Sequence, residues 1–222
     1  MEGEGLDRAI FGSVVSRLEE AGMMVHGGSV IDATIVSAPS STKNARGGRD
    51  PEMHQAKKGN RWYHGMKCHS GEDAGAGYVH SCAFTAANAS DVAEAHGLVR
   101  ADDRFCYADA GYRGVGKRDE VASDERLSAI DWRVAMGPSR LRALCPARWA
   151  DRDEERRKAS VRSKAEHPYH IVKRVFGYAK CRYRGIAKNA ARIRVLLASA
   201  NLLMVARAGR QADFPGPSLG AA

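Results

Sequence analysis

The sequence predicts an α/β fold in which a mixed β-sheet is flanked by helices. Two apolar segments rich in β-branched or aromatic residues, "VIDATIV" (30–36) and "RFCYAD" (104–109), are typical of buried strands. A turn-rich stretch, "GEDAGAG" (71–77), lies between two further strand-like segments and indicates a hairpin. Two long helical patterns follow near the C-terminus. Strands and helices mixed in this order favour one sheet covered by helices.

The first half of the chain opens with a helix and continues with strands and a long loop. Apolar residues recur at helical spacing between Leu6 and Leu18, and Gly22 can end this helix. The predicted elements of this half are a helix over 6–21, a strand over 30–36, a polar loop over 37–60 and a hairpin around 71–77. A loop of that length in a compact domain is usually functional or mobile.

The second half alternates short elements with two long helices. Ser90 can cap a helix through "DVAEAHGLV", because its hydroxyl can accept a hydrogen bond from a free amide of the first turn. The elements after it are predicted to be a strand over 104–109, a short helix over 116–125, a strand over 129–136, helices over 154–176 and 186–207, and a disordered tail over 209–222. Pro168 predicts a kink or a helix start, since proline removes a helical hydrogen bond.

Composition restricts the class of protein. The chain has 222 residues, 44% of them hydrophobic, which suits one globular domain with a short appendage. The longest apolar run, residues 195–205, is shorter than the ~20 residues of a membrane span, and no N-terminal targeting signal is recognisable. The five cysteines form no Cys-x2-Cys pair, so we expect neither a zinc ribbon nor a disulfide framework. These observations predict a cytoplasmic protein without a membrane partner.

The net charge of +9 is concentrated in one part of the chain. Between Arg156 and Arg194 there are thirteen Lys or Arg residues and a single acid, Glu166. Such a basic segment attracts phosphate, because neutralised phosphates release their counterions. A solvated helix face is the alternative interpretation, although it explains poorly why one glutamate stands among so many cations.

Three acidic residues stand in unusual surroundings. Asp32 is the only charge between Gly28 and Ala38, and an ionised carboxylate inside an apolar strand is costly unless another group offsets it. Asp109 ends the second apolar strand, and Glu166 lies in the basic helix.

Each of these acids also has a structural explanation. Asp32 can accept backbone hydrogen bonds, Asp109 can cap the following turn, and Glu166 can pair with Arg162 or Lys173. Taken together, two strand-borne aspartates and a helix-borne glutamate are the oxygen ligands that hard divalent ions prefer. Two such ions can activate an attacking hydroxyl and stabilise the leaving oxygen of a phosphodiester.

Five longer stretches carry a resemblance to a known family: "VIDAT", "RDPEMHQAKKGNRWYHGMKCHSG", "TAAN", "ADAGYRG" and "EHPYHIVKR". Together they resemble the catalytic core of the bacterial DDE transposases of insertion sequence five type, and the resemblance runs from about residue 28 to residue 205. Its most specific part is the signature Arg-x3-Glu-x6-Lys, matched by Arg162, Glu166 and Lys173. The resemblance implies a ribonuclease-H-like fold and a metal-binding catalytic triad of Asp32, Asp109 and Glu166. It also implies Mg²⁺ or Mn²⁺ as cofactor, with two ions.

The resemblance further implies DNA as the partner, both insertion-sequence ends and target DNA, with a homodimer on DNA and a nucleoid-associated location. Six basic residues are expected to contact the DNA: Arg162, Lys173, Arg174, Lys57, Lys58 and Lys67. The expected reaction is cleavage and strand transfer of phosphodiester bonds. In it, water frees a 3′ hydroxyl at the element end, and that hydroxyl attacks target DNA.

The sequence departs from the family pattern in two places. The wider family signature usually has a tyrosine three residues before the signature arginine, where this chain has Ala159. Family members also carry a DNA-binding region ahead of the first catalytic strand, whereas residues 1–27 here predict one helix, interpreted as a remnant of that region. We therefore expect an N-terminally truncated protein with a catalytic core over 28–208 and a tail over 209–222. The alternatives are a catalytically silent remnant that only binds DNA through its basic face and, more weakly supported, a nuclease-like fold that binds RNA.

Overall fold

The computed structural model describes residues 5–43, 45, 47–143 and 149–209. Its six strands are β1 (Gly28–Ser37), β2 (His54–Lys58), β3 (Arg61–Asp73), β4 (Val79–Ala86), β5 (Phe105–Ala108) and β6 (Asp131–Val134). Its helices are α1 (Leu6–Glu20), α2 (Asp91–Glu94), α3 (Asp119–Ala122), α4 (Glu125–Ser128), α5 (Pro138–Arg142), α6 (Trp149–His170) and α7 (Ile186–Arg207). A π-helical turn, Ile171–Val175, follows α6 directly.

All six strands belong to one sheet with mixed strand directions. The order across it is β2-β3-β1-β5-β6, and β4 also pairs with β3. Strands β1, β2 and β4 run antiparallel to β3, whereas β5 runs parallel to β1 and β6 runs parallel to β5. The predicted α/β class, a ribonuclease-H-like mixed sheet flanked by helices, is confirmed.

Helices pack on the sheet and on each other to form the core. Helix α6 lies against β1, β3 and β5, and α7 packs against both α1 and β4. Helix α7 is long and apolar enough to cross a membrane by length and composition, but 56% of that segment is buried within the protein. Ile193 and Leu197, among its apolar residues, are almost fully buried in the main hydrophobic cluster. The helix therefore has the packing of a core helix.

Most predicted elements are present, with three local differences. The polar loop predicted over 37–60 contains a strand, β2, whose sequence "HQAKK" shows no apolar alternation because four of its five residues are exposed. Helix α6 runs through Pro168, so a helix start at this proline is wrong. The irregularity lies after it, in the π-helical turn, where the Phe176 amide donates to the Ile171 carbonyl at 2.9 Å. Ser90 precedes α2, but its side chain makes no capping hydrogen bond.

The N-terminal helix is attached to the sheet domain. Leu18 is fully buried, and the Asp7 carboxylate pairs with Arg194 of α7. The division into residues 1–27 and 28–208 stays a prediction, and the tail predicted over 209–222 lies outside the described residues from residue 210 onward.

Candidate active site

Asp32 and Asp109 lie side by side on β1 and directly after β5, two neighbouring interior strands of the sheet. In the parallel pairing of β1 with β5, the last matched pair is Ile31 with Ala108, so the two aspartates follow at the next step of both strands. Each is half-buried. Burial raises the pKa of Asp32 to about 6, and the nearby carboxylate of Asp109 adds to the rise. Two adjacent acids, one of them costly to ionise, form a site whose charge favours a cation.

The carboxylate of Asp109 also organises the turn that follows its strand. One of its oxygens, Oδ1, accepts a hydrogen bond from the Gly111 amide at 2.7 Å. A Cβ atom on Gly111 would lie 2.9 Å from the same oxygen, so this close approach favours glycine. The capping role considered from the sequence is therefore present, and it fixes the direction of the Asp109 side chain.

One face of α6 lies along the strand that carries Asp32. Arg162, Glu166, Tyr169 and Lys173 are spaced by four, three and four residues, which places the first three on one side of the helix. The Tyr169 hydroxyl lies 3.1 Å from the carbonyl oxygen of Asp32. The positive charge of Arg162 lowers the pKa of Asp32 and so offsets part of the effect of burial. The signature helix is thus held over the aspartate strand.

Lys173 attaches the π-helical turn to the same strand. Its ammonium donates to Thr34 Oγ1 at 2.6 Å and to the Ile35 carbonyl at 2.8 Å. Burial lowers the pKa of Lys173 below its ordinary value. The last residue of the signature therefore has a structural role in addition to the DNA contact expected of it.

Glu166 is exposed and lies one helical turn before Tyr169. Among the residues that the structure describes, no three His, Cys, Asp or Glu side chains are grouped so that they could hold a metal ion. The structure therefore brings Asp32 and Asp109 together and leaves Glu166 on the facing helix. The donor set fits a hard divalent cation, since both aspartates offer carboxylate oxygens and their mutual repulsion would be relieved by it.

The basic residues predicted to bind DNA differ in their surroundings. Lys57 and Lys58 are exposed on β2, and the charge of Lys58 reaches both Asp32 and Lys173. Arg174 is exposed as well. The side chain of Lys67 is instead only 14% exposed, and its ammonium lies 2.8 Å from Asp91 Oδ1 and donates to the Ala89 carbonyl at 2.7 Å. Of the six, Lys67 is the one whose charge is already compensated inside the protein.

A cavity of about 420 Å³ adjoins the signature helix at Ala159, the position where the family has a tyrosine. Its lining is strongly basic and includes Arg142, Arg152, Arg156 and Arg162, with Glu155 as its acid. The Glu155 carboxylate accepts from the Met136 amide at 2.8 Å and from Lys158 at 2.9 Å. This acid therefore serves the protein's own packing.

Sequence reasoning missed several residues at and near this site. Glu72, Ser70 and Tyr169 form a buried polar group behind Asp32, and Trp62 is 67% exposed beside the basic residues of β2. The alternation of Ser70 and Glu72 within "CHSGED" was a signal, because it puts two polar side chains on one face of a strand. The partner, Tyr169, is 97 residues from Glu72, and only the fold brings them together.

Comparison with known protein families gives a match over most of the chain. The chain matches the family model described as Transposase DDE domain over residues 24–202, and no solved structure matches it significantly. The match covers most of the chain, including the aspartate pair, the hairpin and the signature helix. The protein therefore belongs to the family of transposases with a DDE domain.

Proposed function

We propose that this chain is the catalytic core of a transposase of insertion sequence five type, which cleaves and joins DNA phosphodiester bonds with the help of divalent metal ions. The observation that carries the proposal is the position of Asp32 and Asp109 side by side on neighbouring parallel strands, Asp32 within β1 and Asp109 directly after β5. The face of α6 that carries Glu166 lies over the same strand. Such a carboxylate set, within a DDE transposase domain, suits phosphoryl transfer.

Asp32 and Asp109 would hold the cofactor, and Glu166 would supply the third carboxylate from the facing helix. Mg²⁺ or Mn²⁺, bound as a pair, would activate the attacking oxygen and stabilise the leaving oxygen of an in-line displacement. The hydrogen bond from the Gly111 amide keeps Asp109 Oδ1 directed, so the protein fixes this ligand before the cofactor binds.

The proposed reaction has two displacements at the same site. Water attacks the phosphodiester at the end of the element and frees a 3′ hydroxyl, and that hydroxyl then attacks a phosphodiester of target DNA. Arg162 would orient Glu166 or the DNA backbone, because it lies one helical turn before Glu166 and its charge reaches Asp32. Lys173 would place its charge near the same phosphate while it holds the turn to β1.

Exposed basic side chains on either side of the aspartates would bind the DNA backbone. Lys57 and Lys58 lie on β2, Arg174 lies on the π-helical turn, and the basic cavity at Ala159 lies beside Arg162. Cations on both sides of the acids suit a double-stranded substrate with densely spaced phosphates. DNA is the partner that follows, with a homodimer on DNA and a nucleoid-associated location as further parts of the proposal.

A catalytically silent protein that only binds DNA is the second candidate. It is favoured by the position of Glu166, which is not grouped with the two aspartates in this conformation. Ala159 in place of the family tyrosine points the same way. The basic face would then be the functional part of the chain.

A plasmid-nicking experiment separates the two candidates. The purified chain is incubated with supercoiled plasmid and Mg²⁺ or Mn²⁺, beside Glu166→Gln and the matched control Glu154→Gln. Glu154 is an exposed glutamate of the same helix, outside the signature. The transposase proposal expects nicking by the parent chain and by Glu154→Gln, and none by Glu166→Gln. Plasmid binding without nicking by any of the three would establish the silent protein instead.

A further inference from the structure

A chain of three buried polar side chains links strand β3 to helix α6 behind Asp32. Ser70 contacts both the Glu72 carboxyl and the Tyr169 hydroxyl. The Tyr169 hydroxyl also lies 3.1 Å from the carbonyl oxygens of Asp32 and Cys68. All three side chains are buried, Ser70 and Glu72 completely. The expected catalytic reaction uses none of them.

The number of available protons decides which group donates and which accepts in each of these contacts. The backbone carbonyls of Asp32 and Cys68 can only accept hydrogen bonds, so the single hydroxyl proton of Tyr169 must be donated to them. Ser70 must then donate its single proton to Tyr169, and the contact between Ser70 and Glu72 needs a proton from Glu72. The complete set of contacts therefore exists only when Glu72 is a neutral carboxylic acid.

The surroundings of Glu72 agree with a neutral acid. Burial raises the pKa of Glu72 well above its ordinary value, and Asp32 and Asp73 raise it further. Its second oxygen, Oε2, has no hydrogen-bond partner among the described residues. An unpaired carbonyl oxygen of a neutral acid is much cheaper to bury than an unpaired oxygen of a carboxylate.

We propose that Tyr169 is a positioning residue of the active site, directed by Glu72 through Ser70. The hydroxyl holds α6 against the backbone of Asp32, and Glu166 lies one helical turn earlier on the same helix. This contact therefore contributes to the register of Glu166 relative to the aspartate pair, beside the contacts of Lys173 with β1. The role in metal binding rests on the proposed function, whereas the attachment of α6 to β1 does not.

Two measurements test this role on the full chain. Amide hydrogen exchange of peptides covering 160–170 reports how firmly α6 is attached, and calorimetric titration with Mn²⁺ reports the cation affinity of the aspartate site. Tyr169→Phe keeps the ring and removes the hydroxyl. It is expected to speed exchange around Glu166 and to weaken Mn²⁺ binding about tenfold, as loss of a group that orients a metal ligand does. Ser70→Ala removes the hydroxyl that links Glu72 to Tyr169, and it is expected to have the same two effects. It replaces Tyr169→Phe in both measurements if that variant does not fold.

A rescue pair separates positioning from a loss of stability. Glu72→Leu removes the donor and is expected to reproduce both the faster exchange and the weaker Mn²⁺ binding. Glu72→Gln, which still donates from its amide, is expected to keep the exchange rate and the Mn²⁺ affinity of the parent protein. Ile193→Val in the α7 core lowers stability without changing the contacts of Glu72, Ser70 and Tyr169, so it should leave Mn²⁺ affinity unchanged. Equal loss of Mn²⁺ affinity in Glu72→Gln and Glu72→Leu would overturn the neutral donor and show that the Glu72 carboxylate itself is needed.

The two proposals fail in different ways. If the parent chain and Asp109→Asn give the same Mn²⁺ titration, the aspartate site does not bind the cation and the proposed function fails. The attachment is then judged by exchange alone. Exchange around Glu166 that is no faster in Tyr169→Phe and Ser70→Ala than in the parent chain overturns the positioning role.

Discussion

The carboxylate of Asp109, directly after β5, lies next to Asp32 on the neighbouring parallel strand β1 and helps to raise the pKa of Asp32 to about 6. Burial contributes the larger part of this rise. At neutral pH the protein therefore keeps two adjacent negative charges that its own cations, Arg162 and Lys58, compensate only in part. Such a pair of charges lowers the stability of the folded protein and raises its affinity for a cation.

The first prediction concerns stability and pH. The pKa of Asp32 is 3.8 in an unfolded chain and about 6 in the folded protein, so the folded state holds the proton more tightly. Stability from this group is complete below pH 3.8 and is lost as the pH rises to about 6. Asp32→Asn does not ionise, so it should be more stable than the parent chain at pH 7.5 by about 2 to 3 kcal/mol, from 1.36 kcal/mol per pKa unit. At pH 4 the two should be nearly equal.

Urea unfolding in metal-free buffer at both pH values measures this difference. Asp124→Asn is a poor control because Asp124 caps α4, so Asp131→Asn at the exposed end of β6 is the better one. A stability gain that is the same at pH 4 and at pH 7.5 would mean that the ionisation of Asp32 is not its cause.

The second prediction is that protons and cations compete for Asp32. Since the carboxylate form of Asp32 dominates only above about pH 6, Mn²⁺ affinity should be constant above pH 7 and fall by up to about tenfold per pH unit below 6. Calorimetric titration at several pH values gives the midpoint of this change. A midpoint near 4 would show that Asp32 titrates like an exposed aspartate.

The third prediction separates catalysis from DNA binding. Asp109→Asn keeps the size of the side chain and can still accept from the Gly111 amide, so the turn should survive. The negative charge that a hard cation requires is lost, and nicking of DNA should disappear while DNA binding stays equal or becomes slightly stronger. Plasmid nicking and filter binding, run on the same preparations, test both halves. Nicking by the variant at the rate of the parent chain would remove Asp109 from the proposed catalytic set.

Local sequence was enough to single out Asp32 and Asp109, because each ends or interrupts an apolar strand where a carboxylate is costly, and their catalytic role stays a prediction. It was enough for α7 as well, whose apolar pattern begins and ends within a residue or two of Ile186 and Arg207. Strand β2 was missed because its exposed residues leave no alternation, and its pairing with β3 is decided by the hairpin. The buried series of contacts from Glu72 through Ser70 to Tyr169 was missed because Ser70 and Tyr169 are 99 residues apart in the sequence. The distance between Glu166 and the aspartates is likewise a property of helix packing, which spacing in the sequence does not determine.

The fourth prediction concerns the electrostatic part of DNA binding. If six phosphates are neutralised, the slope of log K against log salt should be about −5. Replacement of both Lys57 and Lys58 by alanine should reduce the magnitude of this slope by about 2, at 0.9 per phosphate contact. Arg8→Ala, an exposed change on α1, is the matched control and should leave the slope unchanged. Fluorescence anisotropy with duplexes of unrelated sequence measures it, and a flat salt dependence of the parent chain would contradict the basic-face argument.

The fifth prediction distinguishes two neighbouring cations of the π-helical turn. The ammonium of Lys173 donates to Thr34 Oγ1 and to the Ile35 carbonyl, whereas Arg174 is exposed. Lys173→Met keeps much of the side-chain volume but leaves these acceptors without their charged donor, which should lower the free energy of unfolding by about 1 to 3 kcal/mol. Arg174→Met should leave stability within about 0.5 kcal/mol, as surface changes do, and should weaken DNA binding. Urea unfolding and anisotropy on both variants measure the two effects. If Lys173→Met is as stable as Arg174→Met, the contacts with β1 do not stabilise the turn, and Lys173 acts through DNA alone.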